Sequence, residues 1–298
     1  MGDLVIVGDS VHWGQGLVRA HKMHVILATE MRKKDPNLIE HLLAHSGAVI
    51  GAGDTVRRQR VDGEVPVGSP TIIEQVKGFG GNPANADVVL VNGGINDVNI
   101  RNILNPFFPS HLLTDLIREH CFDSMRELLE ETVHIFAMPT TRIVVTSYYP
   151  ILSDKSQPFG IPMLLQHEGL FAPPGYATAP AAQNPVIQHC LRFWRESTAS
   201  LADAVKVVNA SHQPSRISFV DAGFGENNAV FAGDPWLWGL VGLNPEDEVV
   251  AHRRTACDVA IPPFDVLARQ QCYRASAGHP NVKGAARYAA AIAAALGL

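Results

Sequence analysis

Cysteine, aromatic residues and charge are all scarce in this chain. Its 298 residues include 4 cysteines, 7% aromatics and 18% charged side chains. Four cysteines are too few for a disulfide scaffold. Neither a Cys-x-x-Cys pair nor a Cys/His cluster at zinc spacing occurs. Cys257 and Cys272 share one polar, proline-bearing stretch and can pair, whereas Cys121 and Cys190 read as buried helix residues. The longest apolar tract, Ala289 to Leu298, is too short and alanine-rich to cross a bilayer, so no transmembrane segment is expected. No basic-then-apolar leader precedes the first strand. A trimmed secreted chain would look the same, and the compartment stays open. The net charge of -5 offers nothing to nucleic acid or anionic lipid. Arg57-Arg58-Gln59-Arg60 reads as a solvated loop.

Hydrophobic residues reach 46%, a globular balance. Residues 1–298 read as one α/β domain with irregular inserts at about 151–184 and 222–275. The first strand, Leu4 to Val7, runs into Gly8-Asp9-Ser10, and helix formers extend from Gln15 to Lys34. His41 to Ala48 reads as the second strand and its exit turn, Gly51 to Ser69 as loop, and Pro70 to Val76 as a short helix. Asp87 to Asn92 is a buried strand ending in Gly93-Gly94-Ile95-Asn96-Asp97. Ser110 to Met138 reads as the longest helix, followed by a strand from Arg142 to Ser147. Beyond the first insert come a helix from Pro185 to Val208 and a strand from Arg216 to Asp221; Val282 to Leu296 closes the chain as a helix.

Strands that are apolar on both faces and alternate with helices predict a parallel sheet covered on each side. Ligands of such sheets sit beyond the carboxyl ends of the strands. Ser10, Gly47, Asn96, Tyr148 and Asp221 all follow strand ends and should meet on one rim.

Acyl transfer by serine needs a hydroxyl, an imidazole to take its proton, and donors for the oxyanion. Ser10 offers the hydroxyl; its own N–H, that of Gly47 and the Asn96 amide offer donors. His279, in a loop just before the last helix, offers the imidazole. A lone Asp-Ser is more often just a helix cap. The four segments together reverse that reading. His41 and His45 invite a metal pair, but no third ligand stands near, so neither metal nor cofactor is expected.

Gly8-Asp9-Ser10, Gly47, Gly94-x-Asn96-Asp97 and His279-Pro280, in this order, resemble the SGNH (GDSL-type) esterase and lipase family. No Gly-x-Ser-x-Gly elbow occurs, so the α/β-hydrolase family fits less well. The resemblance implies a flavodoxin-like, three-layer α/β/α sandwich with a five-stranded parallel sheet. It also implies Ser10 as nucleophile, His279 as base, and Ser10, Gly47 and Asn96 as oxyanion donors. One position departs from the family: three residues before the histidine, where an aspartate is usual, stands Ser276. Three readings stay open. Another carboxylate (Asp221, Asp234, Asp258 or Asp265) fills the role; Ser276 or a main-chain carbonyl orients the ring; or the chain binds without catalysing. Asp9 and Asp97 read as turn braces, His12 as packed or solvated, and His212 and His252 as loop residues without partners.

The function this implies is a serine esterase acting on a small-molecule carboxylic ester through an acyl-enzyme. Two alternatives are a non-catalytic ligand-binding module, and a carbohydrate acetylesterase or acyltransferase on the same fold. Apolar residues in the inserts (Phe159, Met163, Leu164, Leu165, Phe171 and Tyr176; Phe224, Phe231, Trp236 and Trp238) either wall and cover an apolar acyl or aryl pocket or pack a satellite core.

Overall fold

The computed structural model describes residues 2–52, 62–171, 184–241 and 244–298. The elements run β1 (Asp3–Ile6), α1 (Ser10–Trp13), α2 (Met23–Met31), β2 (Ile39–Leu42), α3 (Ile72–Lys77) and β3 (Ala86–Val91). Then come α4 (Ile95–Val98), α5 (Ile100–Leu104), α6 (Ser110–Arg118), α7 (Met125–Ile135), β4 (Arg142–Thr146), α8 (Gly160–His167) and α9 (Pro185–Ser211). The last are β5 (Ile217–Val220), β6 (Leu240–Val241), β7 (Asn244–Pro245), α10 (Val250–Ala260), α11 (Val266–Tyr273) and α12 (Val282–Leu296).

Five strands pair in the order β2-β1-β3-β4-β5, all parallel. The register sets Ile6 beside both Leu42 and Leu90, Val91 beside Val145, and Thr146 beside Val220. The strand carboxyl ends therefore form one rim. Because the order reverses at β1, right-handed crossovers put helices on both faces. α2 packs on α12, while α3, α5, α6, α7 and α9 form the other group. Fully buried Leu4, Val5, Ile6, Val89, Leu90, Val144 and Val145 occupy the sheet between them, the unbroken apolar run that a sheet covered on both faces requires.

Several boundaries differ from the sequence expectation, each for a local reason. The helix expected over 15–34 shrinks to α2, because Gly14 and Gly16 adopt φ of +75° and +82° and turn the chain before it. β2 starts at Ile39, and only its last residues fall within the expected stretch. The helix expected from Ser110 to Met138 is α6 and α7 joined by a π turn over Glu119–Ser124, and it ends at Ile135. The longest helix is α9, with 27 residues.

The inserts are not irregular throughout. The first carries α8, and the second carries the β6–β7 pair, α10 and α11. Cys257 on α10 is joined to Cys272 on α11, and both pack with Val65, Val67, Ala256 and Ile261 in a small core separate from the main one. Cys121 and Cys190 are free and buried. Arg57, Arg58 and Arg60, and Tyr176, lie outside the described residues. Among the described residues, no helix is long and apolar enough to cross a membrane.

Candidate active site

The Ser10 half of the site is built by local rules. β1 delivers the chain to Gly8, whose φ of +142° turns it, and Gln75 Oε1 accepts the Gly8 N–H at 2.8 Å. Asp9 caps α1 by accepting the Val11 N–H at 2.8 Å, so Ser10 opens the helix. The Asp9 carboxyl is fully buried and also accepts from Asn92 Nδ2 at 2.9 Å and from the Tyr148 hydroxyl at 2.8 Å. Burial pushes its pKa up, against the pull of those hydrogen bonds. The same Tyr148 oxygen accepts the Ile95 N–H at 3.2 Å, linking the ends of β1, β3 and β4. His12 points inward, donating from Nδ1 to the Val7 carbonyl (2.9 Å) and lying 3.0 Å from Thr146 Oγ1 through Nε2. Burial lowers its pKa to about 3. His12 is a packed neutral ring.

Gly47 and Asn96 stand on segments that are tied together. Gly47 has φ of +80°, and a Cβ there would stand 2.7 Å from the Val67 nitrogen, so only glycine fits. Asn96 lies in α4, and its Nδ2 donates one N–H to the Ala48 carbonyl at 2.9 Å. An amide nitrogen carries two such hydrogens, and Asn96 lines the cavity beside Ser10. Asp97 accepts the Ile50 N–H at 3.0 and 3.1 Å, bracing the same turn.

The His279 half is built by distant segments. His279 Nε2 stands 2.7 Å from Ser10 Oγ, across 269 residues of chain. Its loop is strapped by residues 236–238: Trp238 donates its N–H to the His279 carbonyl (2.7 Å) and accepts from Gly278 (2.9 Å), and Asn281 donates to Trp236 O (2.9 Å). Asn281 then caps α12 through Oδ1. Burial lowers the His279 pKa to about 4; the Ser276 and Ala277 carbonyls work against that fall, and the Arg253 charge adds to it. The ring is neutral at pH 7. Its Nδ1 is buried without a hydrogen-bond partner among the described residues.

Ser276 is fully buried, and its hydroxyl donates to Asp247 Oδ2 at 2.6 Å. The carboxylates proposed from sequence are engaged elsewhere. Asp221 accepts from Ser147, Asp234 pairs with Lys283, Asp258 with Arg269, and Asp265 caps α11. Asp247 was not among those candidates: it stands 32 positions before His279 in the second insert, outside any recognisable spacing.

His41 and His45 do not form a metal pair. His41 sits in β2 and reaches Asp3 Oδ2 (3.1 Å), whereas both ring nitrogens of His45 face carbonyls, Ser46 O (3.0 Å) and Pro70 O (2.8 Å). Among the described residues, no group of three His, Cys, Asp or Glu side chains is arranged to hold a metal. His252 has a partner after all, Asp62 at 2.9 Å, and His212 follows the end of α9.

Ser10, Gly47, Asn96 and His279 border one cavity of about 330 Å³. Its walls mix aliphatic side chains, Ile100 and Leu104 from α5, Leu164 from α8, and Ile261 and Ala268 beside and within the disulfide-joined helices, with polar and charged ones, Asn99, Arg101, His167, Glu168 and Gln271. The aromatic residues of the second insert are not part of those walls. Phe224 packs against Tyr149, Trp236 and Tyr288 with ring centroids 5.2 Å apart in each pair, as part of the main core. Phe159 and Phe171 are exposed, and Phe159 contacts Phe231 at 6.2 Å.

No protein-family model matches this chain. No curated protein matches it either. Among solved structures it is similar to the lipase Lip_vut3 from a goat rumen metagenome, with 15% identity over 95% of this chain and 100% of that one, at a TM-score of 0.46. It is also similar to a carbohydrate acetylesterase family member from Sinorhizobium meliloti, with 12% identity over 100% of both chains and a TM-score of 0.47. A third is a variant of the acetyl xylan esterase Axe2 from Geobacillus stearothermophilus, with 14% identity over 99% of this chain and 94% of that one, at a TM-score of 0.44.

Proposed function

We propose that this chain is a serine esterase that cleaves small carboxylic esters through an acyl-enzyme. The observation that carries the reading is the 2.7 Å contact between His279 Nε2 and Ser10 Oγ at the edge of a cavity with aliphatic and polar walls. In this reading the neutral His279 takes the Ser10 proton as the hydroxyl oxygen attacks the ester carbon. The oxyanion that forms is met by the N–H groups of Ser10 and Gly47 and by the free N–H of the Asn96 amide. The imidazolium returns its proton to the departing alcohol, leaving an acyl group on Ser10. Water, deprotonated by the same ring, then releases the acid. The aliphatic walls suit an apolar acyl or aryl part.

A fluorophosphonate probe should label the wild-type chain and not Ser10→Ala, and a pocket that merely binds ligand would stay unlabelled. The Ser10→Ala variant should keep the circular dichroism of the native fold and lose p-nitrophenyl acetate turnover by about 10⁴-fold or more. Unchanged turnover would reject the assignment.

A further inference from the structure

We propose that Asp247 is a positioning residue for His279, acting through Ser276 in place of the carboxylate that the resembled family carries three residues before its histidine. The inference rests on the esterase reading above. It starts from a buried unit that this reading does not use. Asp247 has a side chain with no exposure, and so does Arg253, whose guanidinium binds both carboxylate oxygens, Oδ1 at 3.1 Å and Oδ2 by a shorter contact. Arg253 is held in turn by Glu64 Oε2 (3.1 Å) and the Tyr273 carbonyl (3.2 Å), and Asp247 Oδ1 also accepts the Val249 N–H at 3.0 Å. A carboxylate fixed at this many points has one position.

That fixed oxygen is the acceptor for Ser276 Oγ. Ser276 is also the residue whose carbonyl accepts the backbone N–H of His279 at 2.9 Å. Anchoring the Ser276 side chain therefore anchors the turn that carries His279 and from which its Nε2 reaches Ser10. The nucleophile side bears on the same unit. A Cβ on Gly16 would stand 2.8 Å from Ser276 Cβ and 3.0 Å from Asp247 Cβ, so the turn after α1 lies directly against it. Asp247 thus fixes the base turn where it meets the nucleophile turn, and Arg253 neutralises its charge. Its part is geometric.

The test is a double-mutant cycle, read as kcat and KM separately on p-nitrophenyl acetate. Ser276→Ala removes the hydroxyl and leaves the Asp247–Arg253 pair intact; kcat should fall about 10- to 100-fold, the scale of a small misplacement of a catalytic group, with KM within about twofold. Asp247→Ala should match that loss within about threefold, and the double variant should lose no more than either single one. Losses that multiply in the double variant, or a kcat for Ser276→Ala within about threefold of wild type, would overturn the proposal. Should Asp247→Ala fail to fold because Arg253 is stranded, the fluorophosphonate labelling rate of Ser276→Ala decides. Labelling slowed about tenfold or more at an unchanged melting temperature supports the relay, and an unaltered rate refutes it. Ser10→Ala separates the two levels: full turnover in that variant would defeat the esterase reading itself.

Discussion

Ser10 and His279 reach the same contact by opposite routes. The serine is placed within four residues of its strand: β1 ends, Gly8 turns, Asp9 caps, and the hydroxyl opens a helix. The histidine is placed by three separate segments, namely the 236–238 strap, the carboxylate of Asp247 and the cap of α12. The two halves also differ in what surrounds them. Around Ser10 the polar contacts join strand ends of the central sheet, through Asp9, Asn92 and Tyr148. Around His279 they join the sheet to an insert stapled by its own disulfide and centred on its own small core. A side chain on the scaffold inherits the rigidity of the sheet, whereas one on a loop needs a second body of structure to hold it.

Asn96→Ala tests the scaffold half most sharply. Loss of one oxyanion donor should lower kcat by about 10² to 10³. The Ala48 carbonyl would lose its partner too, so a fall in melting temperature should accompany the loss. An effect on kcat below about threefold would mean that Asn96 does not face the developing charge.

Replacing both Cys257 and Cys272 with serine tests the insert half. Their 15-residue separation corresponds to about 3 kcal/mol of stabilisation in the chain-entropy account. Limited proteolysis should cut α10 and α11 earlier, and hydrogen exchange should quicken there while the central strands stay protected. Equal loosening of both regions would erase the distinction between the halves.

The smallest effect at neutral pH should come from titrating the base. His279 must be neutral to accept a proton, and its pKa lies near 4, so kcat/KM should be flat at pH 7 and fall only as the pH drops through about 4. The linked stability has the same sign. A histidine depressed from 6.5 to about 4 stabilises the fold fully above pH 6.5 and loses that contribution progressively as the pH falls to about 4. His12, with its pKa near 3, extends the loss further into acid. A limb centred near pH 6.5 would place His279 in a wetter setting than its burial implies.

Apolar runs closing in Gly-Asp-Ser, in Gly-Gly-x-Asn and in Tyr-Tyr-Pro were enough to read the strands and the rim, because strand burial and helix capping depend on neighbours in sequence. The inserts were poorly legible for the converse reason. α10, with the sequence VAHRRTACDVA, buries only Arg253, Ala256 and Cys257, too sparse a stripe for periodicity to reveal a helix. The aromatic residues of the inserts were ambiguous for a related reason: hydrophobicity marks a residue for burial without saying against what. In the structure Phe224 lies in the main core with Trp236 packed against it, and Leu164 stands at the cavity.

By itself the sequence determined the parallel sheet and the turn that presents Ser10, consequences of short-range backbone geometry and of apolar patterning, while His279 was singled out by its place before the last helix and by resemblance. Only the tertiary structure decided what stands behind that imidazole. Asp247 comes to Ser276 across 29 residues because Arg253 and Glu64 gather around it, and a charge network closed between distant segments leaves no periodic trace in the chain that encodes it.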